Sequence, residues 1–166
     1  MSLRDARLED AEAIANVHVR TWQGAYGHIF PAEKLAAISV EAWTRHWRQW
    51  LTDPVPGTHR LVVEDEDGIR GFASAGPAGD EPGSGEVYAI YVLPEAWGSG
   101  HGRELMTAIL DRLRGEGYAD AVLWVLENNP RTRRFYEQAG WQPEGEPHEE
   151  TFLETLVPVV RYRIGR

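Results

Sequence analysis

The sequence predicts an α/β fold, with about seven strands in a mixed, mostly antiparallel central sheet that is flanked by helices. Segments rich in β-branched and aromatic residues alternate with segments whose apolar residues recur at helical spacing. In addition, the Asp67-Gly68 pair separates two apolar runs, which is typical of the tight turn of a β-hairpin. With 166 residues and no internal repeat, the chain is expected to form a single domain over residues 1–166.

The first part of the chain predicts one strand followed by helices. We expect a strand over residues 2–6, a helix from Glu9 to Trp22 that is broken by Gly24 to Gly27, and a helical stretch from Phe30 to Ala37. Ser39 is a good N-cap for a third helix. That helix carries a stripe at helical spacing, which is more typical of core packing than of a binding surface: Trp43, Trp47, Trp50 and Leu51.

The remainder predicts six strands and two helices. Strands are expected at 59–64, 69–75, 87–92, 121–126, 141–145 and 157–164, with a glycine- and proline-rich loop over 77–85. Pro158 lies near the start of the last strand, where a strand start or a sheet edge tolerates proline. One helix carries Leu105, Ile109, Leu110 and Leu113 and ends near Gly115 to Gly117, and another spans 131–139.

Composition excludes several classes of function. The absence of cysteine excludes disulfides and thiolate chemistry, and the six histidines show no paired metal-ligand spacing, so no metal site is predicted. The net charge of −9 argues against a nucleic-acid partner. No apolar run approaches the ~18 residues of a membrane span, and the charged N-terminus is unlike a signal peptide. We therefore expect no membrane partner and a cytoplasmic location.

A glycine-rich turn follows the strand that Pro94 ends. Gly98, Gly100 and Gly102 occupy every second position, and a helix follows at once. This arrangement gathers free backbone N–H groups and the positive end of a helix dipole, which suits a phosphate. The turn lacks the lysine and hydroxyl of the GxxxxGKS/T loop, and Arg103 stands where the GxGxxG fingerprint needs its third glycine.

Two segments together resemble the GNAT family of N-acetyltransferases. Residues 97–102 resemble the family's Q/R-x-x-G-x-G/A signature, with Trp97 in place of glutamine or arginine. Residues 123–141 resemble its N-x-x-A/S-x-x-F/Y-Y-x-x-x-G-F/W block; the matching positions are Asn129, Thr132, Phe135, Tyr136, Gly140 and Trp141. The resemblance covers roughly residues 60–145 and implies transfer of an acetyl group from acetyl-CoA to an amine.

The resemblance also implies which residues bind acetyl-CoA. Backbone groups of Ile90 and Tyr91 would pair with the pantetheine arm, and the N–H of Val92 would stabilise the acyl oxygen as it gains negative charge. The other residues expected to bind the cofactor lie in the glycine turn and the second block: Gly98, Ser99, Gly100, His101, Gly102, Arg103, Asn129, Arg131 and Tyr136.

Proton transfer has two candidates. Tyr136 stands at the family's general-acid position, where its phenol could protonate the departing thiolate. Glu86 stands at the glutamate-base position of the histone-acetylating branch, and a water chain is the alternative base. Period-two alternation places Glu86 and Tyr88 on one strand face. The ribosomal-protein branch takes its base from the position of Trp124, so that mechanism does not carry over.

The acceptor is predicted only by class. Trp22, Tyr26, His28 and Tyr88 are candidate substrate contacts, and a primary amine of a small molecule is the expected acceptor. A protein lysine or N-terminus is the alternative, and a non-catalytic acyl-CoA sensor is an alternative of another class. The glutamates of the segment between the last two strands would either attract cationic amines or form a solvated loop. The tryptophan-rich helix or the last strand could pair two chains in a homodimer.

Overall fold

The computed structural model describes residues 1–165, and these form one seven-stranded sheet and five α-helices, with two short 3-10 turns. The strands are β1 (Ser2–Asp5), β2 (His59–Asp65), β3 (Gly68–Pro77), β4 (Gly85–Val92), β5 (Asp120–Leu126), β6 (Gln142–Phe152) and β7 (Thr155–Gly165). The helices are α1 (Ala11–Ala25), α2 (Ala32–Ala36), α3 (Val40–Thr52), α4 (His101–Gly115) and α5 (Pro130–Gln138). The predicted mixed α/β fold is thereby confirmed.

The sheet has the strand order β1-β2-β3-β4-β5-β7-β6, and β4 and β5 are its only parallel neighbours within residues 1–165. These two strands pair at only two positions, Gly85 with Ala121 and Glu86 with Val122. Beyond Glu86 they diverge, so the middle of the sheet opens into a gap. The gap positions the site described below.

Helices cover both faces of the sheet. The apolar residues of α4 pack on one face, where Leu105 and Ile109 are fully buried against Leu123 and Tyr162. The other face carries α1 and α3. Trp47 of α3 is buried and packs edge-to-face on Phe72 at 5.0 Å between ring centres. The tryptophan stripe of α3 therefore serves mainly as core, as its spacing predicts.

Two predicted boundaries are wrong. Helix α1 continues through Gly24 to Ala25, and a Cβ on Gly24 would come within 2.8 Å of the Pro94 ring. Gly24 is therefore needed for close approach of α1 to the loop after β4, and it does not break the helix. Strand β6 runs to Phe152, where the sequence predicts an end near Gly145 and a loop beyond it.

The last strand is not an edge strand. β7 pairs with β5 on one side and with β6 on the other, so the free edge at this end of the sheet belongs to β6. A homodimer that continued the sheet through β7, one of the two predicted modes, would have to displace β6. Pro158 is accommodated because pairing between β7 and β5 begins only at Val159.

The partly buried His18 is expected to make the fold sensitive to acid. His18 of α1 packs on Trp43 at 4.1 Å between ring centres, its Nδ1 is buried without a hydrogen-bond partner, and burial lowers its pKa to about 4. The unfolded chain binds this proton near pH 6.5, so the stability held above pH 6.5 is lost as pH falls towards 4. The shift corresponds to about 3 kcal/mol at most.

We expect the variant His18→Phe, which keeps the stacking, to lose less stability than the wild type between pH 6.5 and 4. Urea denaturation at a series of pH values measures the difference. His46→Phe, on the exposed side of α3, is the control and should keep the wild-type slope. An identical slope for His18→Phe would contradict the assignment.

Candidate active site

The divergence of β4 and β5 creates a cavity of about 690 Å³. Its walls come from residues 87–92 of β4 and 124–126 of β5, and it extends to the glycine turn and α5 on one side of the sheet. On the other side it reaches α1 and the tip of the β6–β7 hairpin. A ligand in the gap can therefore contact both faces of the sheet at once.

The backbone of β4 offers unpaired groups to this gap. The N–H of Leu93 donates to the carbonyl of Arg70 at 2.8 Å, which fixes the antiparallel register with β3. Because pairing alternates along an antiparallel strand, the backbone groups of Tyr91 face β3, and those of Ile90 and Val92 face the gap. The backbone groups of Ile90 and Val92 are thus directed into the gap, whereas Tyr91 contributes to the cavity wall and not through free backbone groups.

The carbonyl of Val92 is held by two donors. The indole Nε1 of Trp97 donates to it at 2.8 Å, and the hydroxyl of Thr21 donates at 3.2 Å. The carbonyl oxygen of Val92 is therefore fully occupied. Its two hydrogen bonds fix the end of β4 between α1 and the glycine turn. The N–H of Val92 stays directed into the gap, where negative charge could be stabilised.

The glycine turn presents backbone without side-chain obstruction. Gly98 and Gly100 have φ of 81° and 92°, and a Cβ on either would meet no atom within 4 Å. Gly100 is the N-cap of α4, which begins at His101, so the first N–H groups of that helix have no partner within the helix. Gly102 lies against the Phe135 ring, 3.3 Å from where a Cβ would stand. The open backbone of the turn leaves room for a phosphate at the start of α4.

Side chains around the turn are basic. Arg103, Arg131 and Arg134 all line the cavity. His101 is buried, its Nδ1 lies 2.5 Å from the hydroxyl of Ser99, and its Nε2 lies 3.8 Å from Asp65. The side chains of Ser99 and His101 thus stabilise the turn, whose amides and arginines favour an anion.

Trp97 is a site residue that the sequence reasoning does not assign. The guanidinium of Arg131 lies over its ring, 3.5 Å from the centre, which is a close cation–π contact. Trp97 therefore connects the end of β4 to α5 and holds a positive charge beside the glycine turn. Its replacement of the family's glutamine or arginine is the signal that could have identified it.

Tyr136 lies at the gap with a free hydroxyl. The residue is buried, its ring packs near Phe135 and Trp141, and its hydroxyl makes no hydrogen bond with residues 1–165. Burial, and secondarily the nearby Tyr91, raise the pKa of Tyr136 well above its usual value. The phenol therefore keeps its proton at neutral pH.

Asn129 is buried and does not line the cavity directly. Its side-chain oxygen accepts from the N–H of Thr132 at 3.4 Å and caps α5, while its Nδ2 is buried without a partner among residues 1–165. Capping fixes the start of the helix that carries Arg131 and Tyr136.

Glu86 lies at the closed end of the gap. It is half-buried, does not belong to the cavity wall, and stands roughly 20 Å along β4 from Val92. Burial raises its pKa, while a hydrogen bond from the backbone of Gly79 acts in the opposite direction. Tyr88 lines the cavity and is the extra residue of a β-bulge, since Val87 and Ala89 pair with the consecutive residues Ala75 and Ser74.

Aromatic residues form the other end of the cavity. Trp22 of α1 and Tyr26, the C-cap of that helix, line it together with Trp124 and Phe152, which the sequence does not single out. Trp22 packs edge-to-face on Tyr26 at 4.8 Å and on Phe152 at 5.9 Å. His28 is not brought to the cavity; it is exposed, and its Nε2 lies 2.6 Å from the carbonyl of Asn128.

The acidic segment is largely paired. Glu144 binds Arg161 and Arg163 at distances of 3.1 and 2.5 Å, Glu154 binds Lys34 at 2.9 Å, and Glu150 lies 3.1 Å from His148. These partners reduce the negative potential that the glutamates would otherwise produce. Glu146 and Glu149 have no such partner among residues 1–165, so the attraction of cationic amines by this segment stays a prediction.

The site fits a ligand that carries phosphates and an extended amide arm. The open turn and its arginines suit the phosphates, and the backbone groups of Ile90 and the N–H of Val92 suit the arm. Within residues 1–165 no cluster of three or more histidines and carboxylates could hold a metal, and no helix is long and apolar enough to cross a membrane.

Comparisons with known proteins agree with this reading. Residues 12–141 match the model of the acetyltransferase (GNAT) family. The chain is 35% identical to the uncharacterized N-acetyltransferase YuaI of Bacillus subtilis over 133 residues, 78% of this chain and 74% of that protein. It is 33% identical to an N-acetyltransferase of Streptomyces griseus over 153 residues, 86% of this chain and 74% of that one.

The fold agrees with a solved structure as well. The PaiA N-acetyltransferase of Thermoplasma acidophilum in complex with coenzyme A superposes with a TM-score of 0.74, at 18% identity and 96% coverage of both chains. The family match spans most of the sequence and includes both motifs and the whole glycine turn. The chain therefore belongs to the GNAT family of acetyltransferases, enzymes that use acetyl-CoA as the acetyl donor.

Proposed function

We propose that this enzyme transfers the acetyl group to the primary amine of a small molecule, by direct attack of the amine on the thioester. The observation that supports the proposal is the continuous cavity through the sheet, with basic residues at one end and aromatic residues at the other. Its volume of about 690 Å³ is in the range of small-molecule sites. Residues of α1 and the β6–β7 hairpin border the acceptor end, which restricts access for a folded protein.

Acetyl-CoA would supply an activated acyl group. The chain would position the cofactor, direct a backbone N–H at the acyl oxygen and provide a proton for the leaving thiolate. The glycine turn, Arg131 and Arg134 would hold the phosphates, and Ile90 would pair with the pantetheine arm. The N–H of Val92, fixed through its own carbonyl by Trp97 and Thr21, would stabilise negative charge on the acyl oxygen. Tyr136, neutral at pH 7, would donate its proton to the leaving thiolate.

The base remains divided between two proposals. Burial raises the pKa of Glu86, which makes it a better proton acceptor than an exposed carboxylate. Its position outside the cavity wall means that it would act through water. A chain of water molecules that removes the amine proton without Glu86 is the alternative base.

The test is a screen of amine libraries and peptides with isotopically labelled acetyl-CoA, read by mass spectrometry. We expect labelled acetyl on small primary amines and none on peptides. Transfer to peptide lysines or N-termini in preference would support a protein acetyltransferase instead. Binding of acetyl-CoA with no transfer to any amine would support a sensor and would contradict the proposal.

A further inference from the structure

The acceptor end of the cavity carries no carboxylate. Among the residues that line the cavity, the charged side chains are Arg103, Arg131 and Arg134, and all three lie on the cofactor side. An acceptor with a second ammonium group would find no counter-charge in this wall.

The aromatic side chains at this end present carbon surface. The indole Nε1 of Trp22 already donates to the hydroxyl of Tyr91 at 3.2 Å. Tyr26 is buried. Phe152 has no polar atom and is half-buried at the end of β6. The wall therefore offers flat apolar surface with few hydrogen-bonding groups.

Trp124 could attract a cation through its ring, but a cation is already present. The guanidinium of Arg161 lies 5.7 Å from the centre of the Trp124 ring, and the imidazole of His148 packs edge-to-face on it at 4.5 Å. Arg161, which is also paired with Glu144 at 3.1 Å, already occupies this side of the ring, so little ring surface is left for a second cation. The remaining ring surface suits another aromatic ring, since such pairs add about 0.5–1.5 kcal/mol beyond area burial.

We propose that the acceptor is a primary amine on an aromatic, uncharged body, and that Trp22, Trp124 and Phe152 bind the aromatic ring. This inference rests on the proposed function and narrows its substrate class. The body of the acceptor packs among the three rings, and its amine points through the β4–β5 gap towards Val92. Polyamines and amino acids with charged side chains are then poor acceptors.

The experiment compares initial rates with phenethylamine, n-butylamine and spermidine, by thiol release and by mass spectrometry of the product. We expect kcat/KM for phenethylamine to exceed that for n-butylamine by about tenfold or more, from burial of the phenyl ring, and to exceed that for spermidine further. Equal or higher kcat/KM for spermidine would overturn the inference and leave the proposed function standing. No transfer to any amine would overturn both.

Two variants test whether the aromatic residues of the cavity wall cause the preference for phenethylamine over n-butylamine. Trp124→Leu and Phe152→Leu should each reduce the ratio of kcat/KM for phenethylamine over n-butylamine by several-fold. Trp50→Leu, on the exposed side of α3 and outside the cavity, is the matched control and should keep the wild-type ratio. Phe152→Leu keeps the test decisive if Trp124→Leu fails to fold. An unchanged ratio in a folded Phe152→Leu variant would place the aromatic body elsewhere and overturn the inference.

Discussion

Replacing Gly100 with valine is expected to weaken acetyl-CoA binding on the order of 10²-fold, equivalent to about 2.7 kcal/mol. Gly100 has φ of 92° and caps α4, and the space where a Cβ would stand is open. A β-branched residue at this φ is strained, so the turn would shift, and its side chain would fill the approach to the amides. Loss of one or two hydrogen bonds to a charged phosphate, at about 1.5–3 kcal/mol each, accounts for the size of the effect.

Calorimetric titration with coenzyme A measures this change. Gly117→Val is a matched control, because Gly117 has φ of 97° just after the opposite end of α4 and likewise meets no atom within 4 Å. The control should lose a similar amount of stability and keep the wild-type affinity. Unchanged affinity in a folded Gly100→Val variant would remove the turn from the phosphate site.

Replacing Tyr136 with phenylalanine should lower kcat on the order of 10²-fold or less while coenzyme A affinity stays nearly constant. Phenylalanine keeps the contacts with Phe135 and Trp141, and the hydroxyl makes no hydrogen bond with residues 1–165, so the packing is little affected. Burial raises the pKa of Tyr136. In the wild type, deprotonation of this phenol should therefore reduce kcat only above pH ~10.

Steady-state rates across pH, with thiol release as the readout, separate this role from a packing role. Tyr118→Phe is the control, since Tyr118 packs against the same core and does not line the cavity. That variant should keep the wild-type kcat. A Tyr136→Phe enzyme with normal kcat would eliminate Tyr136 as the acid and direct attention to a water molecule at the thiolate.

The sequence predicts the elements and the cofactor half of the site because both depend on local patterns. The strand that Pro94 ends, the glycine turn and the block from Asn129 to Trp141 each have a signature within a few residues. The opening between β4 and β5 has none. It depends on pairing that stops after Glu86, which is a property of two strands far apart in the chain.

The acceptor half of the site could not be predicted for the same reason: its residues are far apart in the chain. Trp124 and Phe152 come from different strands and meet Trp22 only in the folded chain, so no spacing relates them. His28 is near the break after α1, where the sequence predicts a side chain facing the cleft, but a contact with Asn128 directs it elsewhere. The local sequence predicts a helix break at Gly24. It does not show that the ring of Pro94, 70 positions later, packs closely against this glycine.

The two free edges of the sheet affect whether copies of this enzyme associate through their strands at high concentration. β6 forms one edge and carries Pro143 and Pro147, which lack an N–H, together with Glu146 and Glu149, which are exposed. β1 forms the other and is only four residues long. Proline, like charges and short length all discourage strand addition and aggregation. The proline and charge content of β6 and the short length of β1 therefore disfavour edge-to-edge association of this sheet.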